Sequence, residues 1–230
     1  MKQSLAGALV ALLVLAAGCG SGDANVEPTD NPAGPLSVGR SSGDSQLAAP
    51  LAAEHWYAGF GSFVLCSEAA DANIVLDRVR TASDLKPLEV RVFRREVSPD
   101  LVRRTPVAQR SRLLPRFTWR GLPPAFAGPH AARWPLGEWA AGVQGAPVST
   151  TCAATRQALT DIARGEVPQT GFEELAFVLK VSRAGARITN AQIDYSVAGK
   201  PHTLDLRWVM VACGDRFVDP DQCRPKPPSG

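Results

Sequence analysis

No two cysteines in this 230-residue chain stand at the two-to-four-residue spacing of a metal-ligand pair, and the redox pattern C-x-x-C is missing. Histidine is scarce. His55, His130 and His202 lie far apart in different kinds of segment, and none neighbours a cysteine, so no spacing supports a metal site. Met210 is the only thioether beyond the initiator, which argues against copper handling. Charge of one sign is equally thin: the formal net charge is +3, too small to drive general binding to nucleic acid. No apolar run reaches the roughly 20 residues needed to cross about 30 Å of hydrocarbon. What the chain does have is 45% hydrophobic residues, enough for a proper core in one ordinary domain plus a tether, or at most two small domains.

The N-terminus carries the clearest pattern. Lys2 gives a short positive start, Leu5–Ala17 is small and apolar throughout, and Ala16-Ala17-Gly18-Cys19 closes the run. That is the layout of a secretory signal over residues 1–18 rather than of a membrane span. The Ala-Ala-Gly-Cys ending resembles the lipobox of bacterial lipoproteins, with Ala16 where the family usually has Leu. The resemblance implies that Cys19 is lipidated and becomes the new N-terminus. Residues 19–50 follow, dominated by Gly, Ser, Asp, Asn, Pro and Ala. They contain almost no large apolar residue in a periodic array, which predicts a disordered tether. The expected β-rich extracytoplasmic domain spans 51–230.

Four cysteines remain in that domain: Cys66, Cys152, Cys213 and Cys223. Outside the cytoplasm they read as two disulfides. The expected pairing is Cys66–Cys152 plus Cys213–Cys223, the second pair turning back around Gly214, Asp215 and Pro220. Spacing alone leaves the two other connectivities open.

Period-two alternation marks the strands. Phe63–Cys66 and Ile74–Leu76 read as short buried strands, and Leu88, Val90 and Val92 alternate with charged neighbours. Leu175, Phe177, Leu179 and Val181 follow the same rule, as do Ile193, Tyr195 and Val197, and Leu204, Leu206, Trp208 and Met210. A loop at Ala198-Gly199-Lys200-Pro201 joins the last two as a hairpin. One helix is predicted over Thr151–Gly165, from the hydroxyls at its start and from Ala154, Ala158 and Ile162 at intervals of four. Between about 99 and 148 recurrent prolines break regular structure, and Trp119, Trp134 and Trp139 are expected to pack that excursion onto the domain. The fold class expected is mainly β: an antiparallel immunoglobulin-like β-sandwich with one short helix and a long irregular Pro/Trp-rich insertion. The Cys19 lipobox, the Gly/Ser/Asp tether and the hairpin from Ile193 to Cys213 together resemble small secreted and lipid-anchored proteins of high-GC Gram-positive bacteria that carry immunoglobulin-like sandwiches. That resemblance implies a fold and a location, not an activity.

Catalytic patterns fail on context. Gly39-Arg40-Ser41-Ser42-Gly43 fits the hydrolase elbow G-x-S-x-G but falls in the expected tether. Ser83-Asp84-Leu85-Lys86 fits S-x-x-K, yet Pro87 turns Lys86 away from helix, and neither S-D-N nor K-T-G follows. Glu173-Glu174 and Asp194 with Asp205 read as a solvated strand face. Charge clusters in one place: Arg91 to Arg120 holds nine arginines against Glu96 and Asp100, which makes Arg103, Arg104 and Arg110 candidates for anion binding. The function expected is a non-catalytic binding or interaction module on the extracytoplasmic face of the cell membrane. It is held there by its lipid and faces an envelope protein or an anionic envelope polymer. Nucleic acid, metal and cofactor are not expected. The alternative is a secreted hydrolase with its site in 113–147. A deep pocket near Trp119, Trp134, Trp139 and His130 with a nucleophile next to a base would favour that alternative, and a flat sandwich face there would favour the binding module.

Overall fold

The computed structural model describes residues 34–40, 42–49, 54–127, 134–219 and 224–225. Cys19, the leader, His130 and Cys223 lie outside the described residues. The chain opens with β1 (Leu36–Val38), β2 (Ser42–Leu47), β3 (His55–Ser67), β4 (Ile74–Leu85) and β5 (Glu89–Val97). The excursion carries α1 (Pro99–Arg104), a 3-10 helix over Val107–Leu113, β6 (Thr118–Arg120), α2 (Pro124–Ala127), β7 (Glu138–Ala141) and β8 (Ala146–Val148). Then come α3 (Cys152–Ala163), β9 (Phe172–Ser182), β10 (Ala186–Val197), β11 (Lys200–Ala212), β12 (Phe217–Asp219) and β13 (Arg224–Pro225).

The described chain is mainly β, as expected. One sheet runs β1-β3-β9-β5-β7, with β6 also paired to β3, and a second runs β2-β11-β10-β4-β8. Both contribute to a single apolar core. Leu175, Phe177 and Leu179 of the first sheet share it with Ile193, Leu206 and Met210 of the second. Phe63 links the two, its ring edge-on to Phe177 at 5.3 Å and to Trp208 at 5.6 Å. The β10–β11 hairpin closes through Ala198 and Gly199, both at positive φ, the backbone that a two-residue turn between twisted strands demands.

Four expectations need correction. Residues 19–50 are not tether throughout. Leu36 and Val38 of β1 are buried in the core, and β2 extends the second sheet alongside β11. A polar segment such as β2 becomes a strand because β11 supplies its ladder, while the Trp208 indole N–H donates to the Ser45 hydroxyl at 3.0 Å. Gly43 permits this contact: its φ is +148°, and a Cβ there would meet the Trp208 ring at 2.7 Å. Secondly, β2 pairs parallel with β11, so that sheet is mixed rather than antiparallel. Thirdly, the helix at 151–165 is not alone. Ser98 caps α1, and Pro99 stands in its first turn, where its missing N–H costs nothing. Lastly, Leu88, assigned to a buried strand face, is 54% exposed, whereas Arg95 on the same stretch is fully buried.

Leu88 stands just before β5, and Arg95 is buried because the excursion covers the outer face of the first sheet. Two apolar layers form there. Val64, Val97, Val102, Leu113, Ile162 and Phe172 make one, and Phe93, Trp119, Trp134, Ala176 and Val178 make the other. Hence β9 is largely buried on both faces, and β3 carries Gly59 and Gly61 where the Trp119 ring lies across it.

Candidate functional site

Helix α3 begins at Thr151, whose side chain accepts from the Ala154 N–H at 3.2 Å, and Cys152 joins it to β3 through the Cys66–Cys152 disulfide. This is the expected pairing. It ties a strand to a helix rather than one sheet to the other. Cys213 is disulfide-bonded as well. The grouping of Cys66, Glu68 and Cys152 within 4.8 Å offers no thiolate pair to a metal, because the two sulfurs are bonded to each other.

Between α3 and β3 lies a cavity of about 590 Å³, within the usual range for small-molecule sites. Its apolar wall comes from Val64 on β3, Leu159 on α3, and Leu114 and Phe117 from the segment after the 3-10 helix. Three arginines line it: Arg40 from the β1–β2 connection, Arg156 on α3, and Arg164 at the C-cap of α3. On the helix, Arg156, Thr160 and Arg164 recur at intervals of four and so share one stripe. None of the three arginines has a carboxylate partner among the described residues. Nine others do: Arg78, Arg80, Arg91, Arg94, Arg95, Arg103, Arg104, Arg183 and Arg187.

Two polar features complete the wall. Ser62 sits in a bulge of β3, where Phe60 pairs Phe177 and Phe63 pairs Leu175, so two residues oppose one. Its φ of +71° is a conformation that a non-glycine side chain rarely adopts and that clusters at functional sites. Thr155 is 2% exposed, and its Oγ1 has no hydrogen-bond partner among the described residues. A buried hydroxyl of that kind is costly unless something meets it. No described residue lining the cavity is a histidine or a carboxylate, so its wall offers a nucleophile no base.

The sequence-derived candidates fall elsewhere. Arg103 pairs with Asp100, and Arg104 with Glu138 at 3.7 Å. Arg110 donates to the Thr105 carbonyl at 3.2 Å and to the Gly165 carbonyl, tying the 3-10 helix to the end of α3. None of these three lines the cavity. Glu173 and Glu174 are not a solvated pair, which corrects the earlier reading. Glu174 is fully buried on the outer face of β9, directly across from Arg95 on β5, with Arg95 Nε 2.8 Å from Oε1 and off the line of a hydrogen bond. Burial pushes the Glu174 carboxyl up, with Arg95 and the Ser62 backbone amide opposing it. Arg95 also donates to the carbonyls of Leu136 at 2.9 Å and Leu113 at 3.2 Å, and stacks over Trp139 and Phe172. This pair pins the excursion to the sheet.

Trp119, Trp134 and Trp139 fill their region with one another, at centroid distances of 4.9, 5.0 and 6.2 Å. Their packing is that of a core rather than a pocket wall. His55 opens β3, and His202 stacks on Tyr195 in the other sheet, so these two histidines belong to different layers. Ser83 lies within β4, where Lys86 is not one helical turn away, and Gly39 and Arg40 lead from β1 directly into β2, which Ser42 opens, instead of into a helix. Ser41 lies outside the described residues. Asp194 is held well below the usual carboxylate range, first by the Arg80 hydrogen bond and then by Arg78 and Thr203.

The cavity itself was missed in the sequence. The available signal was the Arg156–Arg164 spacing opposite Ala158 and Ile162 on one helix. Among the described residues, no helix is long and apolar enough to cross a membrane. No protein-family model matches the chain, and neither a curated sequence nor a solved structure is significantly similar to it.

Proposed function

We propose that this chain is a lipid-anchored envelope protein, held by Cys19 on the extracytoplasmic face of the cell membrane, and that it works as a non-catalytic binding module. Its site is the cavity between α3 and β3. One observation carries the reading: the cavity is of ligand size, apolar and lined by arginines, with no acid–base pair in its described wall. The leader pattern and the disulfide support the location. The hydrolase alternative draws no support from the described tryptophans of 113–147, which pack on one another, and Leu114, Pro115 and Phe117 of that span bring no acid or base to the cavity they line. We further take the two sheets as an immunoglobulin-like sandwich. The support is that they share one core and that the chain passes between them from β3 to β4 to β5. A disulfide that joins strand to helix departs from that pattern.

Metabolic labelling with a palmitate analogue tests the anchor. The wild type takes up label and fractionates with the membrane, and Cys19→Ala does neither. Unlabelled wild-type protein in the culture fluid refutes it.

A further inference from the structure

We infer that the cavity binds a single-chain amphiphile with an acidic head, its tail on the apolar wall and its head on the arginines. This rests on the reading of the cavity as a binding site. The wall formed by Val64, Leu114, Phe117 and Leu159 suits an alkyl chain and gives a polar ligand nothing to bond. The arginines at the same cavity decide the head. Nine arginines are taken up in salt bridges; of those that meet no carboxylate among the described residues, Arg40, Arg156 and Arg164 are the three that line the cavity. Three arginines line this one cavity from two separate segments, and guanidinium forks take carboxylate or phosphate oxygens in pairs.

The buried Thr155 hydroxyl is the second, independent pointer. Thr155 adjoins Arg156 in the chain and lines the cavity, and its hydroxyl has no hydrogen-bond partner among the described residues. Helix hydroxyls ordinarily bond back to the preceding turn, as Thr160 does to the Arg156 carbonyl at 2.9 Å. The Thr155 hydroxyl makes no such bond among the described residues. Arg40 meanwhile lies over the Phe117 ring at 5.6 Å, so one residue pair joins the charged end of the site to the apolar end.

The experiment uses the purified, oxidised protein and the neutral dye Nile red as a probe of the cavity. Dodecanoate, dodecyl phosphate, dodecanol and acetate compete against the dye. The expected result is that the dye binds and that Leu159→Trp, which fills the cavity, abolishes its binding. Either acid then displaces it at least about tenfold better than the alcohol, and acetate does not displace it. Arg156→Gln and Arg164→Gln, both exposed positions, each weaken the acids by about tenfold and leave the alcohol unchanged. The ranking of the two acids identifies the head group. Dye binding with equal displacement by acid and alcohol, or acid binding indifferent to the arginines, overturns the inference and leaves the cavity a binding site. Absence of dye binding to the wild type, or full binding to a folded Leu159→Trp, overturns both readings.

Discussion

Arg95 and Glu174 stand directly opposite on β5 and β9, both fully buried, so removing one leaves the other as an uncompensated charge. Breaking a buried pair costs about 3–5 kcal/mol. Glu174→Gln belongs at the low end, since Arg95 keeps the Leu113 and Leu136 carbonyls as acceptors. Arg95→Met belongs at the high end, since it strands the carboxylate and also deprives both carbonyls of a donor, each loss adding roughly 1–3 kcal/mol where water does not replace it. Exchanging both residues in Arg95→Met/Glu174→Leu removes the stranded charge and returns stability to within about 2 kcal/mol of wild type. The predicted coupling between the two sites is therefore at least about 3 kcal/mol. Urea unfolding followed by tryptophan fluorescence measures it. Trp139 stacks against Arg95 and reports on the excursion directly. A change of about 4 kcal/mol moves the thermal midpoint of a domain of this size by roughly 10 °C. Single variants that cost less than about 1 kcal/mol, or effects that simply add, refute the argument that this pair is what pins the excursion to the sheet.

Three further outcomes follow from the same geometry. The Cys66–Cys152 bridge spans 86 residues, for which chain entropy gives a limit of about 4–5 kcal/mol; denaturation of Cys66→Ala/Cys152→Ala should show most of that loss, with α3 coming away from β3. Gly59→Ala places a methyl group against the buried Trp119 ring and should destabilise by about 1–3 kcal/mol in the same urea assay, whereas Gly142→Ala, with open space around it, should cost less. Because the folded state depresses the Asp194 carboxyl, its contribution is complete above the unfolded value near 4 and is lost as pH falls through the folded one. Stability of the wild type should therefore fall more steeply below about pH 4 than that of Asp194→Asn, and parallel acid profiles would count against the Arg78–Arg80–Asp194 cluster.

Local patterns predicted local things well. Alternation of large apolar residues along Leu175–Val181 and Leu204–Met210 identified the inner faces of β9 and β11, because side-chain direction in a strand repeats every two residues whatever the partner. Thr151 and the spacing of Ala158 and Ile162 likewise identified α3, since caps and helical periodicity are set within a few residues. The cysteine arithmetic pointed to Cys66–Cys152.

Other features had no local signature. A Gly/Ser-rich stretch reads as tether until β11 offers it a free edge, so β2 and its parallel pairing depended on a partner far along the chain. Arg95 and Glu174 each look like a solvated charge, and their burial exists only because the excursion folds back over the sheet between them. The cavity belongs to the same class: Arg40, Ser62, Phe117 and Arg156 come from four separate segments, and only the docking of α3 on β3 draws them around one space. The sequence by itself determined the long strands β9, β10 and β11 and the helix α3, through period, caps and turns that act over a few residues. The tertiary structure alone decided what those elements enclose, because burial and charge pairing depend on neighbours that the chain brings together only by folding.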